Sequence, residues 1–183
     1  MKKIVGVSLM VLLFLSISSV ASARKFSIGA FGGLNLPIAQ GDTKSGALFG
    51  VKGRVNLLPF LALEPNYVRA QFAGKDLEVG DRSFAREGGN FNSFGADLLF
   101  GTMSSLSKMK FYGLMGINSN SYSRQGIEDK TGLGLTLGTG FEFFPTEILS
   151  LEIRARYHAI KLGDGGRSHV EISGGLNYYF GKE

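Results

Sequence analysis

The segment "LSLEIRARYHAI", residues 149–160, decides how this chain is read. Leu149, Leu151, Ile153, Ala155 and Tyr157 alternate with Ser150, Glu152, Arg154, Arg156 and His158. That is the period of a strand with one apolar and one polar face. Four consecutive polar-face positions are ionisable. Two arrangements satisfy this strand taken alone: charges in water above an apolar core, or charges enclosed by a barrel whose apolar face meets lipid.

The N-terminus bears on the choice. Met1-Lys2-Lys3 is followed by an almost unbroken apolar run from Ile4 to Ile17, and "SSVASA" ends in Ala21-Ser22-Ala23. A short basic segment, an apolar stretch and a small-x-small site predict a cleaved signal peptide over residues 1–23. An N-terminal membrane anchor is the competing reading, but the run is short and the cleavage site well placed. The exported domain then spans residues 24–183. Without Lys2 and Lys3 it carries 18 basic and 15 acidic residues, a net charge of +3. That weak, scattered bias argues against a nucleic-acid partner. Cysteine is absent, so no disulfide staples an exported fold. The 27 glycines and 15 phenylalanines suit a helical protein poorly. One domain is the simplest organisation for this length.

Seven further segments repeat the strand pattern: 25–36, 47–56, 61–70, 90–100, 109–118, 131–144 and 168–180. The sixth strand in chain order, "TGLGLTLGTGFEFF", alternates most cleanly, with Leu133, Leu135, Leu137, Phe141 and Phe143 on one face. Pro65 interrupts the third strand, where it removes a ladder donor and predicts a bulge or weakened pairing. Short connections ("LLPF", "GTMSSLSK", "PTE") alternate with longer polar ones at 37–46, 73–89, 119–130 and 161–167. Strands of about 9 to 12 residues with alternating short and long connections predict an all-β fold, an eight-stranded antiparallel up-and-down transmembrane β-barrel.

Two features place the apolar face outside. Gly132, Gly134, Gly138 and Gly140 share the polar face of the sixth strand. Bare glycines gain nothing on a wetted surface, but inside a narrow barrel they make room for long side chains. Aromatic residues also gather at both strand ends. Phe26, Phe60, Phe100, Phe111, Phe143, Tyr178 and Phe180 lie by the short connections, and Tyr67, Phe72, Phe91 and Tyr157 by the long ones. Two such girdles bound a bilayer-spanning belt. Parity then sends Lys52, Arg54, Glu64, Asp97, Glu142, Glu152, Arg154, Arg156 and Glu171 inward, four basic groups against five acidic. Near balance is what enclosure of charge demands. Arg154 and Arg156 are expected to fork onto carboxylates of neighbouring strands, with Glu142 and Glu171 as natural partners. The interior is expected to be plugged rather than an open channel.

With the signal segment, "SLEIRARYH" as penultimate strand and "VEISGGLNYYF" as last, the chain resembles the small outer-membrane β-barrel proteins of Gram-negative bacteria. The group is the OmpA/OmpX-like and OmpW-like outer membrane protein beta-barrel domain superfamily. The resemblance implies an outer-membrane location, outer-membrane lipids and lipopolysaccharide as surroundings, and contact with the barrel-assembly machinery during biogenesis. It also implies a terminal aromatic assembly signal, here Tyr178 and Phe180, displaced from the C-terminus by Gly181-Lys182-Glu183. A monomer is expected. Arg69, Arg82, Arg124 and Arg167, at the outer rim, are placed to pair with lipid A phosphates.

Some barrels of this size deacylate lipid A with a His, a Ser two residues later and a Glu. Here the residue two after His158 is Ile160, so the nucleophile is missing and no catalytic site is expected. Two histidines without ligand spacing carry no metal signal, and no motif asks for a cofactor. The leading expectation is a non-enzymatic envelope barrel with exposed outer loops. The alternatives are an adhesin or host-interaction barrel acting through loops 37–46, 73–89, 119–130 and 161–167, and a narrow transporter of small hydrophobic molecules.

Overall fold

The computed structural model describes residues 25–38, 43–74, 77–79, 82–84, 88–103, 107–124, 127–162 and 165–180. The expected signal peptide lies outside them. The strands are β1 (Phe26–Ile38), β2 (Thr43–Lys44), β3 (Gly46–Leu58), β4 (Leu61–Gly74), β5 (Leu77–Val79), β6 (Arg82–Phe84), β7 (Gly89–Gly101), β8 (Met109–Arg124), β9 (Ile127–Phe143), β10 (Leu149–Leu162) and β11 (Gly165–Phe180).

Eight of these form the wall. Antiparallel pairing runs β1–β3–β4–β7–β8–β9–β10–β11, and β11 returns to β1, closing the sheet. The small strand β2 adds to β4, and β5 and β6 form a separate two-stranded sheet. From Phe26, the paired residues lead through Val55, Leu63, Leu98, Met115, Leu137, Tyr157 and Val170 to Leu36, ten residues further along β1. That stagger inclines the strands to the barrel axis by about 40°. The architecture is therefore the all-β, up-and-down, closed eight-stranded barrel that the alternation predicts.

The opening ambiguity is resolved by exposure. Along β10, Leu151, Ile153 and Tyr157 are exposed, whereas Glu152, Arg154, Arg156 and His158 are buried. The same polarity holds around the ring, with Ile117 68% and Leu133 75% exposed while Glu64 and Glu142 are fully buried. A closed barrel has no sheet edge to leave unpaired, which is why it can present this belt to hydrocarbon.

The structure corrects three expectations. The strands are longer than expected, at 13 to 17 residues in the eight-stranded wall. Segment 119–130 is mostly hairpin rather than loop, with Ser119 opposite Leu133 and Tyr122 opposite Lys130. In 161–167, likewise, Lys161 opposes Gly166. Their Ser, Asn and Gly content reads as loop because β propensity reports packing, and a hairpin standing beyond the belt has little to pack against. Finally, the upper aromatic girdle is thinner than expected. Tyr67 and Tyr157 are exposed, but Phe72 and Phe91 are buried, 7% and 3% accessible, inside the barrel. Both sit at inward parity, and position near a strand end does not determine face.

Candidate functional site

The side chains that could carry function lie in the lumen and at the rim by the long connections. Inward parity on β3, β4, β7, β9, β10 and β11 brings all nine of the expected charged residues into the barrel, each buried. Arg54 is the hub. Its Nε donates to Glu64 Oε2 at 2.8 Å, Nη1 to Glu142 Oε2 at 2.6 Å and to the Tyr179 hydroxyl at 2.9 Å, and Nη2 to Glu152 Oε1 at 2.6 Å. Lys52 donates to Glu152. Arg154 reaches both oxygens of Glu64, at 2.5 and 2.8 Å, and its Nε lies 2.9 Å from Glu152.

A second group sits closer to the long connections. Arg156 grips Glu171 through Nε at 2.9 Å and through Nη2 at 2.7 Å to each carboxylate oxygen, and Nη1 reaches Asp97 at 3.2 Å. Asp97 also accepts from Asn66 at 3.0 Å. Arg156 and Glu171 are register partners on β10 and β11, so that fork joins neighbouring strands. Arg154 behaves differently. Its partner Glu64 lies on β4, across the ring, and Glu142 is instead engaged by Arg54, Ser150, Asn177 and Tyr179. A long guanidinium in a lumen this narrow reaches the far wall as readily as the next strand.

Several participants escape a reading by charge and parity. Lys110 is fully buried, 4.7 Å from the ring centroids of both Phe144 and Tyr179. Counting it, the described lumen encloses five cations and five carboxylates. The signal was available: Lys110 shares inward parity with Tyr112 and Leu114, but β8 has weak polar contrast. The Tyr112 hydroxyl donates to Glu152 and accepts from Arg154 Nε at 3.1 Å. Glycines leave room for these groups. A Cβ at Gly140 would run into the Tyr112 ring, and one at Gly138 would stand 3.2 Å from Arg156 Cγ.

Towards the long connections the lining changes. Phe31, Leu48, Val68, Phe72, Phe91, Tyr122 and Ile160 form one apolar cluster. The His158 and His169 rings stack at 4.6 Å, and His169 meets Phe72 and Phe91 edge-on at 5.7 and 5.6 Å. His158 Nδ1 shares a hydrogen bond with Thr136 Oγ1 at 3.2 Å, and its Nε2 lies 3.4 Å from Glu171. Ile160 is buried in the same layer, so His158 faces no hydroxyl of the deacylase pattern. Among the described residues no cluster of His, Asp or Glu is placed to hold a metal.

The rim arginines are not gathered into one site. Arg69 is exposed on the outer face of β4, between Phe49 and Asn92 in register. Arg167 on β11 lies over the Tyr122 ring at 4.4 Å. Arg82 belongs to β6 and Arg124 ends β8, and their side chains are outside those described. At the opposite end Tyr178 and Phe180 are both exposed on the lipid-facing side of β11, rings edge-on at 5.1 Å.

The sequence profile of the outer membrane protein beta-barrel domain matches residues 7–180. In fold the chain is similar to Neisserial surface protein A, at 20% identity and TM-score 0.64, covering 87% of this chain and 99% of that one. It is similar also to a major outer membrane protein from Thermus thermophilus, at 14% identity and TM-score 0.55, covering 85% and 98%. A third likeness is to the outer membrane protein OprG from Pseudomonas aeruginosa, at 14% identity and TM-score 0.54, covering 88% and 99%. No curated protein matches the chain.

Proposed function

Because the chain belongs to the outer membrane protein beta-barrel domain family, we propose that it serves as a non-enzymatic structural barrel of a Gram-negative outer membrane. The observation that carries this reading is the ionic plug. Among the described residues five cations and five carboxylates are buried in the lumen, and Arg54 by itself ties β3 to β4, β9 and β10. A pore needs a continuous wetted path, whereas these side chains bridge the ring. The same charges disfavour a carrier of small hydrophobic molecules, which would need an apolar trough through this layer.

Residues 1–23 act as the export signal in this reading. Tyr178 and Phe180 engage the barrel-assembly machinery from the lipid-facing side of the closing strand. Arg69, Arg82, Arg124 and Arg167 meet the phosphates of lipopolysaccharide from the outer rim, and the barrel works as a monomer. Planar-bilayer recording of the refolded barrel, with heat-modifiable gel mobility as the check of folding, tests the plug. Folded protein without stepwise conductance is expected, and reproducible conductance steps would overturn it.

A second reading has one observation in its favour. The β8–β9 hairpin, with strands of 16 and 17 residues, exceeds the roughly 9–11 residues needed to cross a bilayer. It therefore presents a stiff strand pair outside, suited to pairing with or gripping a surface partner. Deleting residues 124–128 joins Ser123 to Asp129 just beyond the Tyr122–Lys130 pair, keeps the buried Tyr122, and so separates the two roles. Loss of cell-surface binding with unchanged barrel stability would favour the adhesin.

A further inference from the structure

The outer wall is not uniformly convex. A groove of 710 Å³ crosses β11, β1, β3, β4 and β7, with Ile28, Gly53, Pro65, Tyr67, Phe94 and Tyr178 among its lining residues. Its floor coincides with a break in the ladder. β3 and β4 pair at Lys52–Asn66 and again at Val55–Leu63, but Gly53–Arg54 and Glu64–Pro65 between them do not. Pro65 offers no N–H to that ladder, and opposite it Gly53 offers no side chain, so the wall is both unpaired and bare there. The Tyr67 ring forms one side and is anchored by its hydroxyl, which donates to Asn92 at 3.2 Å.

The upper end of the groove is charged. Arg69 follows Tyr67 by two residues, hence on the same face of β4, and is exposed. Among the described residues no carboxylate lies within ion-pair distance of it. A guanidinium on the lipid-facing side is costly unless it meets an anion at the headgroup level. The groove follows the interstrand direction over five strands, about 19 Å, and with strands inclined by about 40° it climbs about 12 Å along the barrel axis, within one leaflet of a hydrocarbon core about 30 Å thick. We propose that this groove and Arg69 form one lipid site. An acyl chain of a phosphorylated outer-leaflet lipid lies along Gly53 and Pro65, and its phosphate pairs with Arg69. The proposal rests on the outer-membrane reading above and goes beyond it by assigning the acyl chain a seat on the wall.

Gly53 makes the test clean. A Cβ built there finds its nearest neighbours, Pro65 Cγ and Ser27 O, at 3.9 Å, so Gly53→Leu fills the groove without displacing backbone. Ala30→Leu, at another exposed position over the same groove, is the second filling variant, and heat-modifiable mobility reports folding of each. The full refolded chain is placed in micelles containing lipid A with both phosphates or the same lipid dephosphorylated, and retained lipid is counted by native mass spectrometry.

The wild type is expected to keep one phosphorylated lipid, preferred about tenfold over the dephosphorylated form. Arg69→Gln should erase that preference while lipid is still retained. Gly53→Leu and Ala30→Leu should each lower retention of both forms by about fivefold or more. If the filling variants retain lipid like the wild type while Arg69→Gln loses the phosphate preference, the groove is not the seat, although the rim-phosphate reading survives. Indifference of all three variants overturns both. A wild-type mass of two chains without lipid, lost in Gly53→Leu, would identify a second copy as the occupant and overturn the proposal.

Discussion

The two halves of the lumen are closed by different chemistry. By the short connections, ionised side chains span the ring: Arg54 on β3 reaches Glu142 on β9 and Glu152 on β10, and Arg154 on β10 reaches Glu64 on β4. Beyond the Arg156 group, towards the long connections, the hydrogen bonds between described luminal side chains stay on one strand or join adjacent ones. Asn118 donates to Thr136 at 2.6 Å across β8–β9, and Thr136 meets His158 across β9–β10. What spans the ring there is ring packing, Phe72 and Phe91 against His169. The lower half is thus braced by directional, charge-assisted bonds, and the upper half is filled by shape. Filling by shape tolerates substitution of similar volume, whereas bracing does not tolerate loss of one partner.

That contrast can be broken from the lower side first. Arg54→Met leaves three buried carboxylates short of a partner and should cost about 3–5 kcal/mol, read as a fall in the urea midpoint of the barrel in vesicles. If the loss were below about 1 kcal/mol, the bracing account would fail, since that is the scale of an exposed pair. In the upper half, Phe91→Ala should cost about 3 kcal/mol by the same measurement and Phe91→Leu less than about 1.5 kcal/mol. Equal losses from the two would mean that ring geometry, not volume, closes that end. Thr136→Val should cost about 1–2 kcal/mol by unpairing Asn118 and His158, and an additive double variant with Phe91→Leu would show the amide and aromatic layers to be independent. Outside the lumen, Tyr67→Phe removes one exposed hydrogen bond and should shift stability by no more than about 1 kcal/mol, marking the baseline for both halves.

How far each half can be read from sequence follows the same division. The alternation through Leu151, Ile153 and Tyr157 is a local property, so strand number, inward face and the charged lining are legible from residue order alone. Who pairs with whom is not local. Arg54 meets Glu142 because the wall is staggered by ten residues and the lumen is narrow, and neither follows from the neighbourhood of either residue. Lys110 was hidden by the poor polar contrast of its strand. Phe72 and Phe91 show the opposite fault, for their inward parity was on view but their position near strand ends suggested a girdle. The hairpin extensions at 119–130 and 161–167 lack the apolar face that betrays a strand elsewhere.

The cross-lumen pairs also constrain the order of assembly. Arg54 and Glu142 are separated by 88 residues, Arg154 and Glu64 by 90, and Arg54 and Glu152 by 98. The amino-terminal strands therefore emerge from synthesis long before most of the charges that will neutralise them. A sheet of β1, β3 and β4 entering hydrocarbon alone would carry Lys52 and Arg54 with only Glu64 to offset them, a prohibitive cargo for an oily interior. Such a wall cannot be laid down one strand at a time. It has to curl while its inner face is still hydrated and shut its seam as it enters, so that ring closure and membrane entry become a single cooperative event.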